Sequence, residues 1–354
     1  MSHAQKALLI ESKQGPFVLG TRPIPTPGAG EVVVKVHAAG LNPVDWKIQA
    51  YGIFVEDFPA VVGSDVAGEI EAVGQGVEGF QKGDRVFLQG PFTDNKNGAF
   101  QQYMVNPAEL TAKIPANLSY SEAATIPVAF NCAAFGLFAP APLVGTQNFP
   151  DIWSGEGALV IYHIAIYAWP AVVIGGSSSV GQYVIQLLKL AGFSPIIAYA
   201  STRHAAHLTS LGATHVLDRT NTLLTPAALH AAVQAITSAP ISIVFDAVCS
   251  ADAQQSGYAV LGPGGTIVIA GRSLIEAAPE RTVVPVLGSE HPPTHRAFGR
   301  VVVANITGMV ADGRIVPNRV EEVPGGLAGI KEGLAKLQRG EVSGVKLVGH
   351  PLEA

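Results

Sequence analysis

Only two cysteines, Cys132 and Cys249, occur in 354 residues. No disulfide framework can therefore hold this chain together, and a reducing compartment is expected. Charge is scarce as well, at 14% of residues against about 25% in an average soluble protein. The basic residues are dispersed and the formal net charge is −5, so neither nucleic acid nor an anionic membrane surface is an expected partner. The apolar stretch Ala158–Trp169 falls short of the about 20 residues that cross a bilayer. A basic-then-apolar leader is missing, since polar Ser2 to Lys6 runs directly into a short strand pattern. Internal repeats, charge blocks and low-complexity segments are also missing. These absences point to a cytoplasmic protein, and the length allows two domains, each with its own core.

What the chain does have is concentrated in Ala171-Val172-Val173-Ile174-Gly175-Gly176-Ser177-Ser178-Ser179-Val180-Gly181-Gln182. Four apolar residues read as a buried strand, two glycines as a tight turn, and a helical pattern opens at once. Val180, Val184, Leu187, Leu188 and Ala191 share one face of that helix, and Gly192 stops it. Such a turn aims unpaired backbone N–H groups and the positive end of the helix dipole at an anion such as a pyrophosphate. Gly176, Ser178, Ser179 and Val180 are the residues expected to contact it, and Gly181 would let the helix pack close to the strand. The strict G-x-G-x-x-G spacing is absent, so the reading turns on the chain beyond Gly192.

There, strand and helix patterns alternate: strands at 195–200, 214–217, 241–248 and 266–270, with helices at 203–211, 226–237 and 251–261 between them. Thr225-Pro226 supplies an N-cap and a first-turn proline. Parallel strands linked by helices make a doubly wound α/β sheet that binds a dinucleotide beyond its strand ends. By that rule Cys249 and Gly271, just past the fourth and fifth strands, fall near the ligand. A carboxylate commonly ends the second strand of an NAD site; here the chain reads Ala200-Ser201-Thr202-Arg203, with no acidic residue before Asp218. Ser201 and Arg203 suit the 2′-phosphate of NADPH. The alternative is that Ser201 caps the next helix and Arg203 is solvated.

The N-terminal part is different, with short β patterns at 31–37, 66–73, 85–88, 99–105 and 110–114 broken by Gly and Pro. Ser119 and Glu122 form a capping-box pattern. A helix, a short β return, a helix near 329–338 and a strand at 345–348 bring the chain back to the first domain.

Pro27-Gly28-Ala29-Gly30-Glu31-Val32-Val33-Val34-Lys35-Val36, Gly63-Ser64-Asp65-Val66-Ala67-Gly68, Lys82-Gly83-Asp84-Arg85-Val86 and Leu261-Gly262-Pro263-Gly264-Gly265 together resemble the medium-chain dehydrogenase/reductase superfamily, over nearly the whole chain. The resemblance implies a mostly β GroES-like catalytic domain from 1–125 and 299–354. It implies a Rossmann NADPH-binding domain from 126–298, with an apolar insertion at about 145–170. Where zinc alcohol dehydrogenases of this superfamily place a histidine and a cysteine ligand, this chain has Ser64 and Asn42, and two cysteines cannot build a four-cysteine structural zinc lobe. No metal is therefore expected.

Asn42-Pro43-Val44-Asp45-Trp46-Lys47 resembles the N-P-x-D-x-K segment of zinc-free quinone oxidoreductase-like alkenal and enone reductases. The resemblance implies that Lys47 holds the substrate carbonyl, the alternative being a surface lysine near a turn. Asp45 either orients Lys47 or caps that turn, and Asn42 is structural or touches the cofactor. Cys132 stands where relatives often carry a threonine against the cofactor, and either lines that site or packs. Arg219 stands where relatives often carry a tyrosine near the adenine and could add to the phosphate pocket. The activity implied is NADPH-dependent reduction of the C=C bond of an unsaturated carbonyl, or of a quinone, by a monomer or homodimer. The C-terminal Gly325–Gly333 and Gly340–Val348 segments also resemble stand-alone fungal enoyl reductases that act on carrier-bound chains. A non-catalytic NADPH-binding protein is the third reading. His204 and His207 are expected at the surface.

Overall fold

Alternating valines build the first sheet. Val32, Val34 and Val36 are fully buried on β3 (Glu31–Gly40), which pairs antiparallel with β5 (Asp65–Val73). The computed structural model describes residues 4–94, 96–140, 152–153 and 169–353. The apolar insertion expected at about 145–170 thus lies almost wholly outside the described residues.

The chain forms two units: Met1–Val128 with Ser289–Gly313 and Pro317–Ala354, and Ala129–Gly288 with Arg314–Val316. In the first unit, β1 (Ala4–Ile10) lies between β2 (Phe17–Pro23) and β4 (Ala60–Val61). A larger sheet runs β15 (Val320–Val323), β16 (Lys346–Gly349), β3, β5, β6 (Arg85–Gln89), β8 (Thr111–Lys113), with β7 (Tyr103–Pro107) also on β3. The C-terminal segment therefore supplies strands to a sheet begun near the N-terminus. The pattern expected at 99–105 becomes a strand only from Tyr103, because Ala99 and Phe100 instead bond back to Gly63 and Val62.

Two further differences bear on the site. The segment read as a turn after Asn42 is a helix, α1 (Pro43–Tyr51), stopped by Gly52 at φ 61°. The capping box is real, Ser119 with Glu122, but it opens only the short α2 (Tyr120–Ala123), and α3 (Pro127–Phe138) follows. The stretch Tyr120–Phe138 is apolar enough to cross a membrane by composition, but 83% of that window is buried in the protein.

The second unit is a six-stranded sheet in the order β11 (His215–Asp218), β10 (Ile196–Ala200), β9 (Ala171–Ile174), β12 (Ile241–Asp246), β13 (Leu261–Ile269), β14 (Thr282–Pro285). Every pairing is parallel. β14 lies beyond the last strand expected from sequence: it is short and ends in proline, and pairing with β13 makes it a strand. Register sets Ile174 beside Tyr199 and Asp246, and Asp246 beside Ile269. The ends of four strands therefore open on the same side, where the strand order reverses between β9 and β12.

Candidate functional site

The glycine turn sits at that reversal. Gly175 takes φ +80°, open to glycine and costly for other residues, and Gly175 and Gly176 donate their N–H groups to Tyr199 O. Ser178 caps α4 (Ser179–Leu190), its hydroxyl accepting from Gly181 N–H at 3.0 Å. A Cβ on Gly181 would lie 2.3 Å from Gly175 O, so only glycine lets the helix start approach the turn this closely. Ser177, Ser178, Ser179 and Val180 are all partly exposed. A helix N-terminus behind a glycine turn at a strand-order reversal fits a dinucleotide pyrophosphate.

The second strand end is more mixed than its sequence suggests. Ser201 precedes a 3₁₀ turn, Thr202–His204, and its side chain makes no cap bond. Arg203 is exposed, with Nε 3.2 Å from His204 Nε2. His204 is buried rather than solvent-facing, at the junction of that turn with α5 (Ala205–Leu211). Arg219 is exposed just past β11. Asp218, distant in sequence, is paired alongside Ala200. Its carboxylate accepts from Thr220 Oγ1 and N–H, at 2.6 and 3.1 Å, and these bonds hold it below the usual carboxylate range.

Cys249 and Gly271 do come together: a Cβ on Gly271 would lie 3.4 Å from Cys249 Sγ. Cys249 has φ +63°, a conformation fixed by Asp246, whose carboxylate accepts from Val248 N–H and Cys249 N–H. Cys132 lies within α3 and is 8% exposed. Burial, then the neighbouring Cys249, push its thiol up to about 12. The backbone at Gly288 passes directly over it, which is the geometry of a packed thiol.

In the first unit, the N-P-x-D-x-K segment turns out to rest on a buried polar cluster. Asn42 holds the N-cap position of α1, and Pro43 follows at N1. Asp45 does the capping: its Oδ2 accepts from Asn42 N–H at 2.7 Å. The Asn42 side chain also reaches beyond the helix, Nδ2 donating to Asp65 Oδ2 at 2.8 Å and Oδ1 accepting from Lys346 Nζ at 2.5 Å. Lys346 Nζ also pairs with Asp65 Oδ2 at 2.6 Å, the two side chains 2% and 0% exposed. Asp65 Oδ1 accepts from Val128 N–H at 2.6 Å. Asp45 is fully buried and its Oδ1 has no partner. Burial, opposed by the Asn42 bond, raises its carboxyl to about 8. Asp45 is therefore a capping residue, with no hydrogen bond to Lys47 among the described residues. Lys47 itself is exposed, its Nζ 5.8 Å from the centre of the Trp46 ring.

Asp65 and Lys346 were not singled out from sequence. The available signal was a lysine inside the apolar terminal strand Lys346-Leu347-Val348. Ser64 is buried. With the Lys346 ammonium against Asn42 and a serine at 64, the donor set does not fit a catalytic zinc. Among the described residues no group of three or more His, Cys, Asp or Glu is placed to hold a metal.

Residues 28–116 match the alcohol dehydrogenase GroES-like domain, and residues 179–289 match the family described as zinc-binding dehydrogenase. The dehydrogenase pigH of Monascus ruber is 38% identical over 61% of this chain, and the match spans 55% of pigH, just over half its length. The trans-enoyl reductase resD of Aspergillus sclerotiorum is 31% identical over 92% of this chain and 94% of its own. The quinone oxidoreductase of Coxiella burnetii superposes with a TM-score of 0.71 at 22% identity, covering 98% of this chain and 99% of that one, a likeness of fold. With its GroES-like sheet closed by the C-terminal strands, its doubly wound sheet and full-length similarity to a trans-enoyl reductase, the chain belongs to the medium-chain dehydrogenase/reductase superfamily.

Proposed function

We propose that this protein is a zinc-free, NADPH-dependent reductase of α,β-unsaturated carbonyls, with Lys47 as the group that holds the carbonyl oxygen. The observation that carries this reading is Lys47 itself: an exposed ammonium, with no carboxylate partner among the described residues, on a helix whose start is anchored to a buried ion pair. When bound at the Gly175–Val180 turn, the cofactor supplies a hydride for the β-carbon of the substrate. Negative charge then gathers on the carbonyl oxygen. A lysine ammonium is a compact charge with three donors, suited to that oxygen. Ser178, Ser179, Val180 and Gly176 would hold the pyrophosphate. Ser201, Arg203 and Arg219 would hold the 2′-phosphate, favouring NADPH over NADH. Cys249 and Gly271 would border the nicotinamide side, while Cys132 packs within its own unit and Asn42 holds the start of α1.

Reduction of enoyl chains held on a carrier is a second reading, favoured by the name and full-length similarity of resD. The test is NADPH oxidation with 2-alkenals, enones, quinones and enoyl thioesters, for wild type and Lys47→Met. Lys47→Met keeps most of the stem and removes the donor, so kcat should fall on the order of 10²–10³ while NADPH affinity, read by fluorescence, holds. Wild-type turnover in the variant would remove Lys47 from the mechanism, and preference for thioesters over free enals would favour the second reading.

A further inference from the structure

We infer that Lys346, through Asn42, is a positioning residue for Lys47: the buried Lys346–Asp65 pair fixes where α1 begins and hence where the Lys47 ammonium stands. This rests on the proposed role of Lys47 in the reaction.

The Asn42 side chain does more than an N-cap residue needs to. Asn is a strong N-cap because its side-chain oxygen accepts from the first-turn N–H groups. Here Oδ1 also accepts from Lys346 Nζ, and Nδ2 donates to Asp65 Oδ2. The capping bond is supplied from within the helix, by Asp45 to Asn42 N–H. One residue thus joins two systems, with its backbone closing the first turn of α1 and its amide closing the ion pair.

That arrangement is costly to build. An ion pair with 2% and 0% side-chain exposure gives up the hydration of both charges, and an apolar pair of the same volume is often as stable or more so. Stability is therefore a poor reason for keeping it. Directional bonding is a better one. Lys346 sits on β16, Asp65 opens β5, and Asn42 follows β3, so three segments, two of them 304 residues apart, are held by bonds of 2.5 to 2.8 Å. An apolar core would tolerate sliding there. The ammonium, amide and carboxylate do not, because a small slip leaves a buried charge unmatched. Lys47 lies in the second turn of the helix that starts at this point. The later part of α1 has its own anchors, with Ile48 in the core and Gln49 donating to Gly15 O at 2.8 Å, so the Asn42 cluster is what fixes the end from which Lys47 is set.

The test compares Lys346→Arg, Lys346→Met and the double variant Lys346→Met/Asp65→Asn. The double variant leaves no unpaired buried charge, so it folds even where Lys346→Met alone does not. Hydrogen exchange of the 44–51 amides, followed by mass spectrometry, should accelerate at least tenfold in the double variant relative to wild type, with amides of the second unit unchanged. With a 2-alkenal, kcat should fall roughly ten- to hundredfold, the loss that about 1 Å of misplacement produces. The KM for NADPH should stay within twofold, and Lys346→Arg, which keeps a cation, should recover most of the kcat. Wild-type exchange in α1 together with wild-type kcat in the double variant would overturn the inference. So would an equal loss in Lys346→Arg, which would mark the site as structural packing. If the wild-type protein turns over no unsaturated carbonyl, the proposed function fails, while the exchange measurement still decides whether Lys346 anchors α1.

Discussion

Asp45 shows how much a single buried carboxyl can report. Burial holds it protonated up to about pH 8, against an ordinary value of 3.8. Between those values the unfolded chain releases a proton that the folded chain keeps. Stability therefore drains as pH rises from about 4 to about 8 and then levels. Asp45→Asn keeps an acceptor for Asn42 N–H and has nothing to ionise, so it should gain on wild type across that window and hold a constant lead above it. Denaturant melts at pH 5, 7 and 9 check this, and parallel curves would mean that Asp45 is not protonated in the fold. Arg203 carries a different expectation. Losing one charge-assisted phosphate contact costs about 1.5–3 kcal/mol, so Arg203→Ala should lower the preference for NADPH over NADH roughly ten- to hundredfold in the ratio of cofactor KM values. An unchanged ratio would leave Ser201 and Arg219 as the candidates. From sequence, Asn42 and Asp45 could be named but their division of labour could not, because the bond that engages the Asn42 amide comes from the far end of the chain.

At the scale of elements, the strand–turn–helix from Ala171 to Leu190 was legible because each of its signals is local: an apolar run, glycines where the backbone turns, serine at the cap. Gly181 is the position on which its geometry depends. Adding a Cβ that would stand 2.3 Å from Gly175 O must push the helix start off the turn. Gly181→Ala should cost about 1–3 kcal/mol, lower Tm and weaken NADPH binding in fluorescence titration. Unchanged affinity would place the pyrophosphate elsewhere. The helix α1 was not legible for the opposite reason. Asn42 and Pro43 are start signals, but the body of the helix has no apolar stripe, with only Asp45 and Ile48 buried, so periodicity was silent. β14 was missed because Thr282–Pro285 becomes a strand only by pairing with β13, which no window of sequence contains.

For the whole molecule, the doubly wound unit was readable from alternation alone, whereas the first unit could be seen only as scattered β patterns plus a returning tail. What ties that tail down is Lys346. A chain ending at Gly344 loses β16 and leaves the Asp65 carboxylate buried and unpaired, a loss of about 3–5 kcal/mol. A chain ending at His350 keeps the pair. The first should yield little soluble protein and the second should match wild type in circular dichroism and melting; equal behaviour would show that β16 is dispensable. The same closure has a consequence for how the protein is made. Asn42 leaves the ribosome 304 residues before Lys346, which at roughly 5–20 residues per second is about 15–60 s of synthesis. Throughout that interval the nascent sheet carries an unanswered carboxylate and an open edge beside β3. The doubly wound unit is complete before that wait ends, so it is the second domain in the chain that can fold first, while the N-terminal sheet keeps that edge open until the last strand arrives.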